Sequence, residues 1–167
     1  RRALEALRFD GVYTPPTLEG SLMLPGNAGG SNWGGIAVDP DRGLVIANTM
    51  NLAWAVRLIP REEFARERAA HPGAEVSPQR GTPYAMHRWV VLSPLGVPCN
   101  PPPWGTLAAV ELASGRIAWQ VPLGTIRDIA PVPIPWKLGV PNIGGPLVTA
   151  GGLVFIANTV WSRTPFL

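Results

Sequence analysis

Hydrophobic residues fall along this chain in short runs of four to six, separated by Gly, Pro and Asp. That is the pattern of antiparallel strands joined by tight turns. Gly35-Ile36-Ala37-Val38 and Leu44-Val45-Ile46-Ala47 flank Asp39-Pro40-Asp41-Arg42-Gly43, whose residues suit a turn, and the three segments predict a hairpin. A second hairpin is predicted where Pro146-Leu147-Val148 and Leu153-Val154-Phe155-Ile156-Ala157 flank Thr149-Ala150-Gly151-Gly152. Between them Leu107-Ala108-Ala109-Val110-Glu111-Leu112, a turn at Ala113-Ser114-Gly115-Arg116, and Ile117-Ala118-Trp119-Gln120-Val121 predict a third strand pair.

The first and last hairpins superpose at a constant offset of 110 residues without a gap. Gly34-Gly35 falls on Gly144-Gly145, Val38 on Val148, and Ile46-Ala47-Asn48-Thr49 on Ile156-Ala157-Asn158-Thr159. This is an internal repeat, and one repeat carries four antiparallel strands, the content of a propeller blade. Residues 51–103 interrupt it. Within them Arg61 to Ala70 predict a solvated helix, with Glu62 and Arg66 at the i,i+4 spacing of an ion pair, ending at His71-Pro72-Gly73. Residues 1–8 predict two helical turns with Leu4 and Leu7 on one side, followed by a Pro/Gly-rich stretch to Gly30. A second Pro-rich loop, Pro131 to Trp136, leads into the last hairpin; long loops of this kind on a propeller shape one mouth of its channel.

Composition agrees with an all-β reading. Nineteen Gly and 20 Pro in 167 residues suit shaped loops better than helical bundles. Hydrophobic residues at 46% and charged residues at 15% argue against disorder throughout, and seven Trp call for large packing surfaces. The net charge of +3 comes from scattered Arg, with Lys137 the single Lys, so no clustered basic face for nucleic acid is expected. No apolar run approaches the length of a membrane span. Cys99 stands alone, which excludes an internal disulfide and suggests a small buried hydrophobe. His71 and His87, sixteen residues apart, read as surface or satisfied histidines without an acidic partner at metal-ligand spacing. No Ser/His/Asp set, phosphate-binding Gly loop or paired carboxylates can be assigned.

The segment Ala109-Val110-Glu111, Gly115 and Trp119 resembles the tryptophan-docking pattern of quinoprotein propellers, in which an indole packs between neighbouring sheets. Glu111 stands where that pattern usually has Asp. More of the chain resembles one branch of that family, the membrane-bound, PQQ-dependent dehydrogenases of glucose, quinate and related polyols. The matching stretches run in order: Arg8 to Pro16, Pro25-Gly26-Asn27, Trp33 to Pro40, Ile46-Ala47-Asn48, Leu58-Ile59-Pro60-Arg61, Leu92 to Cys99, Pro103-Trp104-Gly105, Gly144-Gly145-Pro146 and Thr149-Ala150-Gly151. The resemblance implies about two blades of an eight-bladed quinoprotein β-propeller, with long Pro/Gly-rich loops and a short helical insertion. The boundaries expected are a lead-in over 1–33, one four-stranded blade over 34–124 with its insertion at 51–103, and a loop with the start of the next blade over 125–167.

By the same resemblance the Asn of the Ile-Ala-Asn strand end, here Asn48, reaches the quinone ring of the cofactor. Taken by itself Asn48 reads as an amide that closes a strand. Ile143 and Gly144 fall where the family's loop lies against the cofactor, although related alcohol dehydrogenases have Trp at the position of Ile143. Asn158 is expected to be structural, and Asp128 matches an acidic position of the family. The general base, the Lys that holds the cofactor and most metal ligands lie upstream of anything present here, so no catalytic residue and no metal ligand is assigned. The final residues, Val160 to Leu167, depart from the family pattern, and the absence of an initial Met reads as a fragment boundary. The parent is expected to be periplasmic and anchored in the bacterial inner membrane. It would use PQQ with a divalent cation (Ca or Mg), oxidise a sugar or polyol, and pass electrons to ubiquinone; the isolated chain would be inert. The alternatives are a non-catalytic propeller scaffold and an independent all-β interaction module.

Overall fold

The structure, a computed structural model, describes residues 2–125 and 136–157. The Pro131–Pro135 part of the second loop, Asp128, Asn158 and the divergent end at 160–167 lie outside the described residues. Among the described residues ten strands follow one another: β1 (Ser21–Met23), β2 (Ile36–Asp39), β3 (Leu44–Met50), β4 (Trp54–Pro60), β5 (Glu75–Pro78), β6 (Tyr84–Val90), β7 (Gly105–Glu111), β8 (Ile117–Pro122), β9 (Pro146–Val148) and β10 (Val154–Ile156). A helical turn α1 (Arg2–Glu5) opens the chain. A second helix, α2 (Phe64–Ala70), follows a 3-10 turn at Arg61–Glu63.

The predicted blade forms. Strands β2, β3, β7 and β8 make one antiparallel sheet in that order, so the insertion between β3 and β7 leaves these two strands adjacent. Ile46 stands opposite Ala109, and Asn48 opposite Leu107. Ile46, Leu107 and Ala109 are buried, with Ala37, Leu44, Leu123, Val148, Val154 and Ile156 packed on them. The last three belong to the β9–β10 hairpin, so the second copy of the repeat covers one face of the first. Burying a side chain such as Ile46 is worth about 1.5–3 kcal/mol, which makes this apolar layer the main attachment of the hairpin.

The two hairpins are not identical. Ala37 pairs with Ile46, whereas its repeat mate Leu147 pairs with Phe155 rather than Ile156. The sequence repeat survives, but the pairing slips by one residue because the turn after β9 closes through the Thr149 N–H on the Leu153 carbonyl at 3.0 Å. At the other side of the blade, Ala109 pairs with Trp119 and Val110 with Ile117, leaving Ala118 as the extra residue of a bulge. Trp119, expected between two sheets, is 37% exposed, and every residue of β8 is exposed, because no described strand lies beyond it.

The insertion holds more than the helix that its charges predict. Strands β1, β4, β6 and β5 form a second four-stranded antiparallel sheet in that order, built from the insertion plus one strand of the lead-in. Ala53, Ala55 and Val91 form one core patch, covered by Leu4, Leu7, Leu22, Leu24 and Trp89. Leu4 and Leu7 therefore do share a face, but the helix stops at Glu5, and Arg8 instead bridges to Ser21 beside β1. Ile59, Val76 and Ala85 form another patch, on which Phe64 seats the helix. Arg66 pairs with Glu63 at 2.6 Å rather than with Glu62. The 3-10 turn before the helix has fewer residues per turn than an α-helix, which turns Glu62 off the shared face. Cys99, expected to be buried, is exposed. No helix among the described residues is long and apolar enough to cross a membrane.

Residues 138–140 run against the start of β7 so closely that the main chains touch. The Trp104 N–H donates to the Leu138 carbonyl at 3.0 Å, and the Val140 N–H to the Leu123 carbonyl at 2.7 Å. A Cβ on Gly105 would collide with the Val140 carbonyl, and one on Gly139 with the Gly105 main chain. Gly105→Ala is therefore expected to cost about 1–3 kcal/mol in denaturant unfolding of the full chain. Gly151→Ala, whose Cβ would meet only the Thr149 hydroxyl at 3.9 Å, should stay within about 0.5 kcal/mol. Equal midpoints for the two variants would contradict the contact.

Candidate functional site

Asn48 lies near the end of β3, a strand that is central in its sheet, and its side chain is 4% exposed. A buried primary amide must find partners. Its Nδ2 donates to the main-chain carbonyl of Asn142 at 2.5 Å, bridging 94 residues of sequence. Asn142 is itself 2% exposed, and its Oδ1 accepts the Gly144 N–H at 2.8 Å. This is an Asx turn, in which a side-chain oxygen holds the main chain two residues on. Asn48 thus grips the turn at its first residue, and Asn142 closes it at its third.

The turn is pressed against the segment before β2. A Cβ on Gly34 would meet Gly144 and the Gly145 nitrogen, and one on Gly145 would strike Gly34, so the two Gly-Gly pairs of the repeat lie against each other. The Gly35 N–H donates to the Asn32 carbonyl at 3.0 Å, and the Trp33 N–H to Asn32 Oδ1 at 2.7 Å. The Trp33 indole is left 77% exposed beside this junction. Next to Asn48, the hydroxyls of Thr49 and Thr106 share a hydrogen bond of 2.7 Å across β3 and β7.

Asn48, Ile143 and Gly144, which the sequence links only through a family resemblance, therefore come together at one junction. Asn142, which holds them there, was not singled out by the sequence. Its signal was available: an Asn two residues before a Gly-Gly pair is Asx-turn chemistry. In the docking segment, Glu111 accepts hydrogen bonds from the Ser114 hydroxyl at 2.6 Å and from Arg116 at 3.4 Å, which closes the β7–β8 turn.

A second group forms where the sequence suggested none. His71 ends the helix and His87 sits in β6, and their ring centroids are 4.7 Å apart. Glu67 lies one helical turn before His71, with Oε2 3.6 Å from His71 Nε2 and 2.7 Å from the Arg57 guanidinium. The acidic partner is thus the i,i+4 neighbour of His71, hidden in sequence among the other charges of the helix. Burial, and then the neighbouring His71 and Arg57, hold the His87 imidazole below its ordinary pKa, with Glu67 acting in the opposite sense.

An antiparallel four-stranded blade, stacked on its own repeat and pinned through an Asn and a Gly-rich turn, defines a segment of a β-propeller. The family model described as "PQQ: Glucose/ethanol/alcohol dehydrogenase, beta-propeller domain" matches residues 1–163, and the chain belongs to that family. It is 45% identical over 168 residues to a probable quinate dehydrogenase (quinone) of Xanthomonas campestris pv. juglandis, covering 95% of this chain and 21% of that protein. It is 42% identical to the quinate/shikimate dehydrogenase (quinone) of Acinetobacter baylyi (93% and 20% covered). Identity to the quinoprotein glucose dehydrogenase of Escherichia coli K12 is 40% (92% and 20% covered). The chain spans about a fifth of the length of these relatives.

Asn142→Ala is expected to leave the Gly144 N–H without its acceptor and to cost about 1–3 kcal/mol. Hydrogen exchange at the Gly144 amide should quicken in this variant and stay slow in Asn142→Asp, which keeps the oxygen. Unchanged exchange in the alanine variant would show that the turn does not depend on Asn142.

Proposed function

We propose that this chain is part of a PQQ-dependent dehydrogenase that oxidises a CH–OH group of an aldose or cyclic polyol and delivers the electrons to ubiquinone. The observation that carries this reading is the junction of Asn48 with the 142–145 turn. It gathers Asn48, Ile143 and Gly144, the three positions that the family resemblance assigns to the cofactor, in one place. The names of its relatives, quinate and glucose dehydrogenases among them, support the substrate class.

The donor set fits a quinone. Asn48 has two amide protons, and the Asn142 carbonyl takes one. An amide anchored in this way can offer the second in a fixed direction, which is what stabilises negative charge on a carbonyl oxygen. Ile143 would contribute apolar contact and Gly144 close main-chain approach. When bound, PQQ supplies the acceptor for the two electrons lost from the alcohol. A divalent cation, Ca or Mg, would be held largely by residues outside this chain. The parent protein would work in the periplasm from an inner-membrane anchor. The isolated chain would be inert, because a propeller closes its central channel only with all its blades.

The test uses the complete dehydrogenase that carries these residues, reconstituted with PQQ and assayed by dye reduction with glucose and with quinate. One of the two should be oxidised. Asn48→Asp, which keeps the shape and loses the donor, should lower kcat by about 10²–10³-fold. Turnover unchanged in this variant would remove Asn48 from the site, and no oxidation of any sugar or polyol would overturn the reading of function.

A further inference from the structure

Among the described residues, Glu67, His71 and His87 are the group of three ligand-bearing side chains that could hold a metal ion, each offering one atom and all of these lying within 4.8 Å of one another. They come from two elements, the helix of the insertion and strand β6, so the fold rather than the local sequence assembles them. Two imidazoles and a carboxylate form a donor set suited to zinc and its first-row neighbours.

We propose that Glu67, His71 and His87 bind a divalent first-row transition ion, zinc in type, which clips the insertion helix to its sheet. Tetrahedral zinc, with bonds of about 2.0–2.1 Å, needs donor atoms about 3.3 Å apart. The side chains must therefore close by about an ångström or more. His71 has the freedom to do so: its side chain is 46% exposed and it lies just past the last helical residue. His87 is held more firmly, with its ring 4.7 Å from that of His71 and 4.8 Å from that of Trp89. The Glu67 side chain is 16% exposed, and Arg57 binds its Oε2 at 2.7 Å. That guanidinium takes the place of an outer-shell partner, holding the same Oε2 that faces His71 Nε2 at 3.6 Å. The carboxylate is thereby oriented toward the imidazoles and would share this oxygen with the ion or turn its other oxygen to it. Three protein donors leave a fourth position for water, as in an exchangeable rather than a sealed site.

The alternative occupant is no ion at all, the three groups serving only as a latch between helix and sheet, held by the Arg57–Glu67 ion pair and the contact of the two imidazole rings. Cobalt(II) separates the two, because tetrahedral coordination by imidazole and carboxylate gives strong visible absorption. The full chain, stripped with chelator, is titrated with Co²⁺ and then with Zn²⁺, alongside His71→Ala and His87→Gln. Circular dichroism checks that each remains folded, and the exposed His71 gives a variant whose folding is not at stake. The expected result is a visible spectrum for the parent chain that Zn²⁺ displaces, with affinity reduced by more than about tenfold in His71→Ala, since even outer-shell changes cost that much. Absence of tetrahedral cobalt absorption in the parent chain, or equal affinity in folded His71→Ala, would overturn the proposal and leave the latch.

Discussion

A primary amide removed from water has to be satisfied by the protein, and for Asn48 the partner lies 94 residues away in sequence. That requirement couples β3 to the turn before β9 and so couples one copy of the repeat to the next. The apolar layer of Ile46, Val148, Val154 and Ile156 supplies attraction, but such packing tolerates sliding. The hydrogen bond from Asn48 to Asn142, and from Gly144 back to Asn142, does not. It fixes where along the blade the second hairpin begins.

Main-chain contact sharpens the same constraint. Gly34 and Gly145 lie against each other at this junction, and Gly105 and Gly139 do so at the start of β7. Three of these four, Gly34, Gly145 and Gly105, sit inside the short stretches that carry the family likeness: Trp33-Gly34-Gly35, Gly144-Gly145-Pro146 and Pro103-Trp104-Gly105. Their physical content is therefore shared. Each marks a place where two backbones approach too closely for a side chain, and the buried Trp104, whose Nε1 donates to the Asn100 carbonyl at 2.8 Å, closes the space beside one of them.

The strands of the blade were legible because each is a compact apolar run bounded by turn residues, and the offset of 110 residues tied the hairpins together before any coordinates. The second sheet was not. Arg57, His87 and Arg88 interrupt β4 and β6, and Pro60 and Pro78 end strands in ways that resemble loops. What steadies these strands is cross-strand chemistry invisible to periodicity: Arg88 pairs with Glu75 opposite it in β5 and lies 5.2 Å from the Trp54 ring. The histidine group escaped for the same reason, since a spacing of sixteen residues says nothing until β6 and the helix are placed side by side. At the junction, Asn48 was legible only through resemblance, and the residue that positions it, Asn142, only through turn chemistry.

The surfaces left open carry the argument from fold to context. Ile36, Val38, Leu147 and Phe155 are each at least half exposed on the hairpins, and Ile117, Trp119 and Val121 are exposed along β8. An edge strand bearing this much apolar surface invites pairing unless something covers it. The same chain spends buried hydrogen bonds and four closely packed glycines on holding its blade and hairpin in register. Such exact internal spacing beside uncovered apolar rows makes sense where further sheets stack on both sides. A family match over residues 1–163 and a length one-fifth that of its relatives point to the same architecture. The 37%-exposed Trp119 then offers its indole to such a sheet, whereas the geometry at Asn48 is set by contacts within the chain.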